Sequence, residues 1–112
     1  MADDIVVGGL YATRDEDGSY GIMKVLVVDE YAVHLRSYAT RFKELPAEVR
    51  SSELSMDGPE GFGIGHFPLA REEFDREEPV LVGRESVDDD ELDGHRIWLN
   101  SVPPAKPWWR FW

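Results

Sequence analysis

His34, Arg36 and Tyr38 occupy every second position of the stretch YGIMKVLVVDEYAVHLRSYATRF, residues 20–42. In an extended chain alternate residues share a face. The row therefore sets three different groups side by side. The imidazole titrates near neutrality, the guanidinium can grip a carboxylate or phosphate with two parallel bonds, and the phenol offers a flat contact. Such a face suits an acidic group or a peptide. Its plainer role is to cover the wet side of a sheet, with Arg36 paired to one of the 23 acidic residues.

A second candidate is GFGIGHFPL, residues 61–69, where Gly61, Gly63 and Gly65 alternate with Phe62, Ile64 and His66. Glycines can bring backbone N–H groups to an anion. The spacing is not that of a dinucleotide loop, and no Lys-Ser or Lys-Thr follows as in a phosphate loop. A bulged edge strand explains the same alternation. His66 is the best-placed general base if the chain is an enzyme, although a base needs partners that spacing does not supply. A third candidate is the end of the chain, PWWRFW, with Trp108, Trp109, Phe111 and Trp112 among its last five residues. Each ring buries roughly 150–250 Å² when covered. The segment is a candidate docking peptide or homodimer contact, with Arg110 stacked on a ring, unless it folds back to complete the core.

Other chemistries lack their signatures. There are no cysteines, so disulfides, thiolate metal sites and a cysteine nucleophile are excluded. DEDG at 15–18 holds only a fragment of a calcium loop, and consecutive Asp88, Asp89, Asp90 and Glu91 diverge on any regular backbone. The three histidines lie far apart in the chain without zinc-ligand spacing. No metal or cofactor is expected from these patterns. No G-x-S-x-G elbow is present, and paired carboxylates carry no information in so acidic a chain.

Length and charge narrow the classes further. One domain fits 112 residues. The formal net charge is −11, and residues 44–94 hold 16 acidic and four basic side chains. That balance repels phosphate backbones, so direct nucleic-acid binding is not expected. It attracts basic partners and could imitate nucleic acid. No run approaches the apolar length of a membrane span, and MADDIVV lacks the basic start of a signal peptide, so a cytoplasmic protein without membrane contact is expected.

The elements that must position these residues are mostly strands. Leu10–Thr13 and Tyr20–Val28 flank the turn DEDG, which predicts a hairpin. Tyr20–Val28 is apolar on both faces and reads as a central strand. A loop at Asp29 and Glu30 leads to a third strand, with Tyr31, Val33, Leu35 and Ser37 facing the core and Ala32, His34, Arg36 and Tyr38 facing out. PAEVRSSELSM predicts a short helix or loop, and DGPEGFGIGHFP a loop. LAREEFDREE, residues 69–78, predicts a short helix with Leu69 and Phe74 inward, Pro68 at its start and Pro79 at its end. PVLVG is a strand. Ser86 opens a capped acidic turn that Gly94 ends, and HRIWLN is a last strand with Trp98 opposite Ile97 and Leu99. The expected architecture is mainly β: a small antiparallel SH3-like or tudor-like barrel or curved sheet with one or two short helices over residues 1–100, then a Pro/Trp-rich tail at 101–112. An α+β sheet with helices on one face is the alternative.

The segments GGLY, YGIMKVLVVDEYAVHLRSYATRF, GIGHFPL and DDDELDGHRIW, spanning Gly8 to Trp98, resemble a family of small bacterial proteins without an assigned activity. The resemblance implies a bacterial single-domain protein and transfers no site residue. Together these features lead to a non-catalytic interaction module for a protein or peptide partner, using His34, Arg36, Tyr38 and His66 with Trp108, Trp109, Arg110 and Trp112 as a second contact. The alternatives are an acidic inhibitor, such as an immunity protein or nucleic-acid mimic, and a small hydrolase or isomerase using His66 or His34.

Overall fold

A computed structural model of the chain describes residues 5–30, 32–58 and 61–101. Five strands form one antiparallel sheet: β1 (Gly9–Arg14), β2 (Tyr20–Val28), β3 (Ala32–Phe42), β6 (Ile64–Ala70) and β7 (Val80–Arg84), in the order β6-β3-β2-β1-β7. Two further strands, β4 (Asp57–Gly58) and β5 (Gly61–Phe62), pair only with each other. The helices are α1 (Arg71–Arg76) and α2 (Asp93–Ser101), with 3₁₀ turns at Ser51–Glu53 and Asp89–Leu92. The expected mainly β architecture is what the chain adopts. Because β6 and β7 are edges and do not pair with each other, the sheet is open.

The meander β1–β2–β3 follows from its turn chemistry. Asp15 accepts from the Gly18 N–H at 3.0 Å, and Gly18 takes φ +88°, a conformation that costs glycine nothing. Between β2 and β3, the Ala32 N–H donates to the Asp29 side chain at 2.8 Å and the Asp29 N–H to the Ala32 carbonyl at 3.0 Å. Aspartate closing its own turn in this way is ordinary loop chemistry. It also fixes the Asp29 carboxylate at the start of β3.

Both faces of the sheet are covered. One carries Tyr11, Met23, Val25, Val33 and Leu35, onto which α1 drops Phe74. Tyr11 and Phe74 meet edge to face with centroids 5.3 Å apart. The other carries Leu10, Ala12, Ile22, Tyr38 and Val82, covered by Val49 from the loop after β3. Further along the same face, Lys24 and His34 are buried under the Asp89–Leu92 turn and α2.

Four expectations change. The glycine-rich segment 57–68 is not a loop throughout: it builds β4, β5 and most of β6. The edge-strand reading of GFGIGHFPL holds, with a register shift against β3 between Leu35 and Ser37. Pro68 sits inside β6, where an edge strand needs no N–H from it, and α1 starts at Arg71. HRIWLN is helical, not a strand. The turn that begins after Asp88 runs straight into α2, with Gly94 inside the helix. Trp108, Trp109, Arg110 and Trp112 lie outside the described residues.

Candidate metal centre

The row His34, Arg36 and Tyr38 does share one face of β3, but that face is not wet. His34 is 0 % exposed, and Tyr38 is buried among Leu10, Ala12, Ile22, Val49 and Val82. Arg36 is half-buried, 3.9 Å from Glu91. The sequence pattern assigned the alternation correctly and its environment wrongly. Tyr38 is covered by Val49 from the loop after β3, and His34 and Arg36 are covered by residues 86–98, whose helix the strand reading missed.

That cover brings together three histidines from three elements. His66 lies on β6 beside His34 on the same face, since Pro68 pairs with His34 and alternate residues share a side. Its Nε2 is 2.9 Å from His34 Nδ1, and the rings stack with centroids 5.1 Å apart. His95 comes from the first turn of α2, and its ring meets His34 edge-on at 4.5 Å. Trp98, three residues on and therefore on the same helical face, stacks against His95 at 6.1 Å and meets His34 edge-on at 4.8 Å. The helix can approach this closely because residue 94 is glycine. A Cβ there would lie 2.5 Å from the Cβ of His66.

On its other side, His34 Nε2 is 2.8 Å from Asp29 Oδ2. Both nitrogens of the buried imidazole thus have partners. With Asp29 ionised, Nε2–H donates to the carboxylate, and Nδ1 then accepts from His66 Nε2–H. One ligand atom from each of Asp29, His34 and His95 lies within 4.8 Å of the others. Burial, then the neighbouring charge of His34, hold His66 and His95 below the ordinary imidazole value. Asp29 opposes that effect at His95.

A second buried polar group locks the cover in place. Lys24 on β2 donates to Glu91 Oε1 at 2.9 Å and to the Ser86 carbonyl at 2.7 Å. Glu91 also accepts from the Asp88 N–H at 2.9 Å, so one carboxylate both caps its turn and ties it to the sheet. Burial, then the charge of Glu91, raise the Tyr38 hydroxyl above its ordinary value, with Arg36 opposing.

Of the residues singled out from sequence, His34 and His66 meet in this cluster. Arg36 belongs to the adjoining polar layer with Glu91, and Tyr38 packs in the apolar cluster beyond it. Asp29, His95 and Trp98 were not singled out as site residues. The signal was present in D-x-x-E at 88–91, which starts a helical turn. Continuing that helix would have set His95 and Trp98 on one face. No protein-family model, curated protein or solved structure matches the chain. No helix among the described residues is long and apolar enough to cross a membrane.

Proposed function

We propose that this protein is a small binding module for a divalent transition-metal ion, held by Asp29, His34 and His95. The supporting observation is the convergence of one carboxylate and two imidazoles, from three separate places in the chain, within 4.8 Å. Imidazole with carboxylate is a ligand set for Zn²⁺ and its first-row neighbours. Three protein ligands leave a fourth position for water or another group. His34 Nε2 faces Asp29, so it is the nitrogen that would bind, and its proton would leave as the ion enters. His66 would pass its Nε2 proton to His34 Nδ1 and take one from solvent at its own Nδ1. His34 Nδ1–H then donates to His66 Nε2, 2.9 Å away, and the proton lost from His34 Nε2 is balanced. A second hydrogen-bonded partner of this kind orients a ligating imidazole and fixes its tautomer. The full shielding of His34 favours holding an ion over turning over a substrate at that ring.

The test is calorimetric titration of the tag-free full chain with Zn²⁺, with Co²⁺ absorption to report coordination. One ion per chain is expected. His34→Ala and His95→Ala should each weaken binding by more than the roughly 10–100-fold that follows loss of an outer partner. Absence of binding, or binding unchanged in both variants, would overturn the assignment.

A second reading, a protein-interaction module, draws support from the exposed side chains of Phe62, Ile64, Ile97 and Leu99 and from the acidic charge. It predicts a partner captured at low salt and lost when Ile97 and Leu99 are changed together to Asp. A partner retained by that variant would remove this surface.

A further inference from the structure

We infer that ion binding at Asp29, His34 and His95 controls the docking of α2 on the sheet, so that the centre acts as a metal-dependent helix clasp; this rests on the metal-binding reading above. The ligands divide unequally. Asp29 and His34 belong to the β2–β3 turn and β3, and are in place once the meander forms. His95 belongs to α2 and reaches them only when the helix is docked. An ion therefore has three ligands in the docked state and two when α2 is away. A ligand shifts a conformational equilibrium by the ratio of its affinities for the two states.

Little apolar burial commits α2 to its position, and its Arg96 bonds to Asp89 tie it to the preceding turn rather than to the sheet. The helix has nine residues, below the length at which an isolated helix holds itself together in water. Gly94 in its first turn weakens it further. None of its residues with described burial is fully buried, and its largest aliphatic side chains point outward, with Ile97 64 % and Leu99 54 % exposed. Its inward face presents His95 and Trp98 to two more imidazoles. Without an ion, that face is an indole and an imidazole against two more imidazoles beside one carboxylate. With an ion, His95 joins His34 and Asp29 round a charge. The contrast with α1 is direct, since α1 is shorter yet buries Phe74 completely in an apolar layer.

The preceding turn supplies the pivot. Glu91, tied to Lys24 and to its own cap, holds residues 88–92 on the sheet irrespective of the ion. Residues 93–101 follow without a break. The clasp therefore opens from the far end of α2, and the ion determines how firmly the helix is held against the sheet.

The experiment is amide hydrogen exchange on the tag-free full chain, in EDTA and in saturating Zn²⁺, with calorimetry on the same sample to establish occupancy. Zn²⁺ should slow exchange of residues 95–101 on the order of 10- to 100-fold relative to EDTA. Amides of β2 and of residues 88–92 should change far less. His95→Ala should keep a weakened two-ligand site and lose the α2 response. If calorimetry shows no Zn²⁺ binding, the metal centre falls and the clasp with it. If Zn²⁺ binds and α2 exchanges at the same rate in both conditions, the centre stands and the clasp is wrong. Equal slowing across sheet and helix would also overturn it, because the ion would then be stabilising the whole fold.

Discussion

The two faces of the sheet are covered in opposite ways by elements of similar size. Strand β3 feeds both. Val33 and Leu35 point to one side, where Phe74 from α1 closes an apolar layer with Tyr11, Met23 and Val25. His34 and Arg36 point to the other, where Lys24, Glu91, His66, His95 and Trp98 meet. An apolar layer gains free energy from area removed from water and needs no angular accuracy. A buried polar layer gains little net stability, because desolvation offsets its attractions, but it breaks sharply when one partner is lost. The apolar layers, including the Leu10, Ile22 and Val82 cluster at the other end of the second face, supply stability, and the polar end around His34 and Lys24 supplies specific geometry, so substitutions should divide them.

Phe74→Ala gives the largest effect. The ring is buried in one cluster with Tyr11, Met23, Val25, Val33 and Leu35, and meets Tyr11 edge to face. Urea denaturation should show a loss of about 3–5 kcal/mol, the range for emptying a buried aromatic site. The fraction that remains folded should still bind one Zn²⁺. Loss of ion binding in that folded fraction would show that the faces are not independent.

Lys24→Met comes next and tests the polar face. It leaves Glu91 and the Ser86 carbonyl without their lysine. Stripping one member from a buried pair costs about 3–5 kcal/mol. Here Glu91 keeps the Asp88 N–H, and Arg36 lies near, so about 2–3 kcal/mol is expected. Changing both, Lys24→Met with Glu91→Leu, should recover most of that loss in the same assay. A double variant as damaged as the single would show that the pair contributes net stability and would erase the contrast with the apolar layer.

The apolar face was the legible one. Val33, Leu35 and Phe74 follow from alternation and from a short apolar-acidic helix, and the hairpin at Asp15–Gly18 follows from its turn residues. The polar face was half legible. Alternation placed His34, Arg36 and Tyr38 together, as the structure has them. It could not show that they are buried, since polar residues in a strand look the same under solvent or under a polar cover. Reading Ile97 and Leu99 as one side of a last strand, with Trp98 on the other, hid the helix that provides the cover. In α2 these two point outward, against the usual apolar rule, and the inward positions go to His95 and Trp98. Local pattern and final placement disagree at this element, which is where functional sites are expected to lie.

Gly94→Ala tests that element at closer range. The added methyl would meet His66 Cβ, an atom next to the backbone that cannot rotate aside. The helix must shift, at about 1–3 kcal/mol for an overpacked site. Tryptophan fluorescence should change, and the change should disappear in a Trp98→Phe background that keeps Trp108, Trp109 and Trp112, while Zn²⁺ affinity should fall with it. Unchanged affinity would mean that α2 docks with more freedom than the close contact implies.

The smallest effect sits at the border between the two regimes. The Ser51 N–H donates to Glu85 at 2.9 Å, and its hydroxyl donates to the same carboxylate. These bonds hold Glu85 below the ordinary carboxylate value. A group whose value is lowered on folding contributes stability above its unfolded value, and that contribution is lost as pH falls through the folded one. Ser51→Ala should therefore cost most at neutral pH, about 0.5–1 kcal/mol because the pair is partly solvated. The gap between variant and wild type should close as the pH drops below the ordinary carboxylate range, in urea titrations at successive pH values. Phe74→Ala should show no such closing, since its lost contacts carry no proton. A Ser51→Ala gap that stays constant into acid would mean that the hydroxyl acts by packing alone, and that Glu85 belongs with the apolar regime after all.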